Sequence, residues 1–172
     1  MDQASLDQNG PVDKDEPVDK DVRWLSDVEQ TAWRAYLDGT RLLIQALDHQ
    51  LSAESELSFT DYELLVRLSE AAQGRLRMRD LADATLSTRS GITRAVTRAE
   101  RAGWVKRVVC DDDRRGMNAE LTEAGREKLA ASAPGHVAAV RANLLDLLTP
   151  EQLGQLTEIG GRLRQHLAPR SG

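Results

Sequence analysis

In the stretch LSTRSGITRAVTRAERAGW, Arg94, Thr97, Arg98 and Arg101 fall at i, i+3, i+4 and i+7, which places them on one face if the stretch is helical. Ser87, Thr88, Arg89, Ser90 and Thr93 crowd its beginning. Guanidinium forks and hydroxyls gathered on one face are suited to gripping phosphate oxygens and to hydrogen-bonding planar ring edges. A second knot of charge follows at CDDDRRG, residues 110–116, between two stretches that alternate apolar and polar residues. No nucleophile–base pair, phosphate-binding glycine loop or metal-ligand spacing accompanies either cluster. The single cysteine, Cys110, and three scattered histidines point to no disulfide and no metal. The expectation is a binding protein rather than an enzyme, with no cofactor.

The elements that must carry these residues can be read from local patterns. Opposite the arginines lie Ile92, Ala95, Val96, Ala99 and Ala102, with Ser87 or Thr88 available as N-cap and Gly103 just past the end; this predicts a helix from about 88 to 102. Ala95 and Ala99 would let it lie close to a neighbour. WVKRVV then reads as a strand, and Met117, Ala119 and Leu121, alternating with Asn118 and Glu120, read as the inward face of its partner, with CDDDRRG as the hairpin loop. Upstream, Thr60 before Asp61, Tyr62 and Glu63 suggests an N-cap for a helix from 61 to 72. A short helix from 78 to 84 packs through Leu81 and Ala82. At the ends, Trp33, Tyr36, Leu37, Leu43, Ile44, Leu47 and Leu51 recur at helical spacing within 24–51. Two more helices are expected, from about 122 to 148 and from 149 or 150 to 167, the last with Leu153, Leu156, Ile159, Leu163 and Leu167. The fold class is mainly α with a small β-hairpin wing.

The net charge is −5 over 172 residues, which by itself disfavours a polyanionic partner. Its distribution reverses that inference. Residues 1–30 carry nine acidic against three basic residues, whereas 75–115 carry eleven basic against six acidic, so a cationic centre is averaged away. The first 22 residues, with PVDKDE followed by PVDKDV, read as an acidic disordered tail. The absence of an apolar run of about 18 residues and of a secretory leader predicts a soluble cytoplasmic protein with no membrane partner.

A helix about 10–12 Å across fits the major groove of B-DNA, and a basic hairpin can send an arginine into the adjacent minor groove. The segments LSFTDYELLVRLSE, LADATLSTRSGITRAVTRAERAGWVKR and DDRRGMNAELTEAG, spanning about 58–125, resemble the MarR-type transcriptional regulators. Asp113, Arg114, Arg115 and Gly116 fall on that family's Asp-x-Arg wing motif, and Leu121, Thr122 and Gly125 on its Leu-Thr-x-x-Gly stretch. Thr97 and Ala99 stand where the family often has aspartate and leucine, and Cys110 and Asp111 where it often has aspartate and proline.

The resemblance implies a domain over 23–168, with 23–57 and 123–168 as dimerisation helices and 58–122 as a winged-helix lobe for double-stranded DNA. It implies a homodimer that represses from a pseudo-palindromic promoter site and is relieved by a small amphipathic or phenolic effector. The expected DNA-binding residues are Ser87, Thr88, Arg89, Ser90, Thr93, Arg94, Thr97, Arg98, Asp113, Arg114 and Arg115, with Arg115 in the minor groove and Arg114 on the backbone. Trp33, Tyr36 and His49 are the candidates for lining an effector cleft. The alternative is a winged-helix module that binds protein and not DNA.

Overall fold

Six helices and three short strands succeed one another in the computed structural model, which describes residues 22–110 and 116–168. They are α1 (Asp27–Ser55), α2 (Phe59–Glu70), β1 (Arg75–Arg77), α3 (Met78–Ala84), α4 (Arg89–Arg101), β2 (Val105–Val109), β3 (Met117–Leu121), α5 (Glu123–Asn143) and α6 (Pro150–Leu167). The chain divides into two compact units, Met1–Leu37 and Asp38–Gly172. In the first, Ser26 and Glu29 exchange hydrogen bonds at the start of α1, at 2.8 and 3.3 Å, closing a capping box. Trp24, Val28 and Trp33 are exposed there.

The second unit is built on Leu51, Leu57, Leu64, Leu65, Leu68, Leu81, Ile92, Val96, Val105 and Leu121, all nearly inaccessible to solvent. α2, α3 and α4 supply most of this core, and the sheet closes it. The expected inner face of α4 is realised in Ile92, Ala95, Val96 and Ala99, while Ala102 is its exposed C-cap.

Three local expectations are corrected. The cap of α2 is Ser58, not Thr60: its Oγ accepts from Asp61 N at 3.1 Å and donates to the Asp61 carboxylate at 2.6 Å. Asp48 of α1 fixes the choice by accepting from Phe59 N at 2.7 Å. The sheet has three strands in the order β1-β3-β2, all antiparallel; β1, at three residues, is too short to reveal an alternation. Because β3 is central, its pattern is not the expected one. Met117 is exposed, whereas Asn118 is buried and its amide oxygen accepts from the Cys110 thiol at 3.1 Å. Cys110 is therefore not a loop residue but part of the buried wing stem, its backbone N–H continuing the ladder to Gly116 O at 3.0 Å.

At the base of the wing, Thr122 caps α5 through Gly125 N at 3.1 Å and donates to Gly103 O at 2.7 Å. A Cβ on Gly125 would lie 2.2 Å from Trp104 O, so the backbone approach requires glycine. α5 stops at Asn143, with a 3-10 turn at Leu145–Leu147 before α6. α6 buries none of its side chains.

Candidate nucleic-acid interface

Thr88 settles which residue starts α4, since its Oγ1 accepts from Gly91 N at 3.0 Å. Beyond it, Arg89, Ser90, Thr93 and Arg94 are all exposed on the first turns of the helix. The guanidinium groups of Arg89 and Arg94 make no ion pair or hydrogen bond to any described residue. With no acid in the first turn of α4, this end combines the positive pole of the helix with unpaired cationic side chains.

Ser87, Thr97 and Arg98 are engaged within the protein, and the Thr93 hydroxyl bonds back along its own helix. Ser87 is half-buried, its hydroxyl on Thr85 O at 3.3 Å. Thr93 and Thr97 bond back to the carbonyls of Arg89 and Thr93, each at 2.8 Å, yet Thr97 Oγ1 also accepts from Arg107 at 2.8 Å. Arg98 reaches across to α2: its Nη2 and Nε donate to the Asp61 carboxylate at 2.8 and 3.4 Å. Three N–H donors of the fork remain, two on Nη1 and one on Nη2, and the side chain is about half exposed. Arg101, at the helix end, is exposed. Asp113, Arg114 and Arg115 lie outside the described residues, as do Asp111, Asp112 and the tail over residues 1–21.

Sequence reasoning missed Asp61, Glu100 and Arg107 as participants. In the sequence Asp61 reads only as part of a helix start. Arg107 lies on β2 and donates through its side chain to the Glu100 carboxylate, to Thr97 Oγ1 and to Thr93 O at 3.4 Å. The neighbouring Lys106 pairs instead with Glu120 across the sheet at 2.9 Å, and that hydrogen bond holds the Glu120 carboxyl below the usual range.

The three expected effector residues fall in different surroundings. Trp33 and Tyr36 are about half exposed in the first unit. His49, exposed in the second, lines a shallow groove with Leu42, Gln45, Ala46, Asp48 and Ser52. Among the described residues no group of histidines, cysteines and carboxylates could hold a metal ion, and no helix is long and apolar enough to cross a membrane.

A helix-turn-helix with a three-stranded wing, presenting a cationic helix face, defines the class: a winged-helix protein of the kind that regulates transcription. Comparison with known proteins narrows it. Residues 55–116 match the family model described as MarR family. Sco3205 of Streptomyces coelicolor, a MarR family regulator whose structure was determined in complex with DNA, is 44% identical. That alignment covers 88% of this chain and 95% of Sco3205, with a TM-score of 0.84. AbsC from the same organism is 45% identical, over 85% of this chain and 98% of AbsC, with a TM-score of 0.80. The transcriptional regulator PecS of Dickeya dadantii is 28% identical over 145 residues, 82% of this chain and 85% of PecS. The chain belongs to the MarR family.

Proposed function

We propose that this protein is a cytoplasmic homodimer that binds a pseudo-palindromic double-stranded DNA site and represses transcription by occluding a promoter. The observation that carries the reading is the exposed start of α4, where Arg89, Ser90, Thr93 and Arg94 stand together and the two guanidinium groups have no described protein partner. Arg94 and Arg89 contact base edges or the phosphates beside them. Arg98, anchored by Asp61, presents its remaining N–H donors to the same groove. Thr88 and Ser90 meet the backbone at the helix start, Arg114 meets it at the wing, and Arg115, oriented by Asp113, enters the minor groove. That Sco3205, similar over nearly its whole length, was crystallised with DNA supports this; a name for MprA of Escherichia coli, 27% identical over 125 residues, includes the word repressor.

Dimerisation rests on apolar surface left uncovered within one chain: Leu42 and Ile44 on α1, and Leu156, Ile159, Leu163 and Leu167 on α6. Residues 23–57 and 123–168 supply the dimer helices in this reading, 58–122 the DNA-binding lobe, and 1–22 an acidic tail. A two-fold axis would set the two copies of α4 about one DNA turn, roughly 34–36 Å, apart. An amphipathic or phenolic effector would relieve repression.

The test is selection of bound duplexes from genomic fragments, followed by titration of a selected site and a random duplex over a range of salt. Binding to both, with a steep salt dependence and tighter binding to the selected site, is expected. Salt-independent or undetectable binding to every duplex would favour a protein-binding winged helix. A monomer by sedimentation at micromolar concentration, still binding one half-site tightly, would remove the homodimer.

A further inference from the structure

We propose that Arg107 is a positioning residue for DNA, a clamp that sets the angle between the wing and the recognition helix α4; the inference rests on the DNA-binding reading above. From β2 its one guanidinium group spans Thr93 O, Thr97 Oγ1 and the Glu100 carboxylate, a reach of two helical turns, about 10 Å along α4. Its backbone N–H also donates to Glu100 at 3.4 Å. Thr97 and Glu100 thus face the wing with their polar atoms occupied. Where the family often has an aspartate, Thr97 offers only a hydroxyl, and the negative partner comes from Glu100, three residues further on.

α4 passes into β2 through Ala102, Gly103 and Trp104, and Gly103 has φ +80 with nothing within 4 Å of where a Cβ would be. Backbone hydrogen bonds from Gly103 N to Glu100 O, from Trp104 N to Ala99 O and from Thr122 N to Trp104 O fix the base of the wing, and Arg107 adds a contact to α4 further out along β2. From Val105 to Cys110 the wing stem extends about 17 Å, so a tilt of ~15° would shift its far end by about 4 Å, more than the ~3.4 Å spacing of bases along a strand. Arg107 ties the stem near its middle. Lys106, on the other face, is committed to Glu120 within the sheet and cannot substitute.

The sign of one substitution separates positioning from direct contact. Glu100→Gln removes a negative charge beside the DNA-facing helix and leaves Arg107 cationic. Were Arg107 simply a phosphate ligand, Glu100→Gln would leave affinity unchanged or raise it. As a clamp, Glu100→Gln and Arg107→Gln should each lower affinity about tenfold for a duplex enriched by the wild-type protein from a random pool.

Footprints at saturating protein add a readout that a general loss of stability would not produce. Dimethyl sulfate protection of guanine N7 in the major groove is expected to persist, while hydroxyl-radical protection of the flanking minor-groove sugars weakens. The exchanged pair Glu100→Arg with Arg107→Glu should recover affinity to within about threefold of the parent. If Arg107→Gln loses its cooperative thermal transition, Glu100→Gln and the exchanged pair decide.

Unchanged or tighter binding by Glu100→Gln, or loss of protection in both grooves together in a variant with the parent's thermal midpoint, would overturn the clamp. A wild-type protein that enriches no duplex and protects neither groove would overturn the DNA reading, and the clamp with it.

Discussion

Arg98 of α4 and Asp61 of α2, 37 residues apart in sequence, form a two-point ion pair in which the aspartate is only 7% exposed. The same carboxylate receives the Ser58 hydroxyl that caps α2. One acid therefore ties the start of α2 to the side of α4. Charge-assisted hydrogen bonds of this kind contribute more than neutral ones, and truncating Arg98 leaves the nearly buried Asp61 carboxylate without its charged partner. Asp61→Ala and Arg98→Ala should each cost about 1–3 kcal/mol, and the double mutant less than their sum by about 0.5–3 kcal/mol. Urea unfolding of the four proteins measures the coupling, and strictly additive losses would show that the pair is incidental.

Arg94 should behave differently because no described residue holds it. Arg94→Ala is expected to leave the thermal midpoint within a degree or two while costing about 1–3 kcal/mol on a selected site and relaxing preference at one base position. Equal losses on selected and random duplexes would assign Arg94 to the phosphates instead.

In the wing, an arginine that enters a narrow groove is best held extended beforehand, since freezing a long side chain costs up to about 2 kcal/mol. Asp113, two residues before Arg115 in the sequence, is the proposed partner for this. Asp113→Ala should lower operator affinity although it removes a negative charge, whereas Asp111→Ala and Asp112→Ala should leave affinity unchanged or raise it, most visibly at low salt. Titrations of the three variants at two salt concentrations check the signs; an Asp113→Ala protein that binds as well as the parent would end the orienting role.

Gly125 admits no side chain because the Trp104 carbonyl occupies the space, and Leu121 Cδ1 would lie 2.7 Å from the same Cβ. Gly125→Ala should destabilise the lobe by about 1–3 kcal/mol or more through overpacking against backbone. Thermal melting reads the cost directly, and a midpoint equal to the parent's would mean that the α5 start shifts freely from the wing base.

His136 on α5 lies against the Tyr62 ring with centroids 4.3 Å apart and has Phe59 beyond it at 6.2 Å. Burial lowers its pKa, against the opposing influence of Glu63, so the folded protein binds this proton less readily than the unfolded chain does. The neutral imidazole's contribution to stability is then complete above the unfolded value of about 6.5 and is lost as pH falls through the lower folded value. The thermal midpoint of the parent should drop more between pH 7.5 and 5.5 than that of His136→Gln, and identical slopes would exclude His136 as a source.

What the sequence by itself determined is local. The two faces of α4, its cap among Ser87 and Thr88, the alternation that marks a hairpin and the apolar stripes of the end helices all follow from periodicity and from residues within a few positions of one another. Tertiary structure decided which of the similar-looking arginines remain available to a partner. Arg94 and Arg98 are one helical turn apart and look alike in the chain, but packing brings Asp61 to only one of them. Arg107 reads as an ordinary polar strand residue until the turn at Gly103 folds β2 back along α4 and sets Glu100 and Thr97 beside it. Asn118 looks outward in the alternation, yet the pairing of β1 with β3 makes that strand central, and the amide turns in to receive the Cys110 thiol. Charge pairing and strand position depend on segments distant in sequence meeting in space, and local propensity carries no information about that meeting.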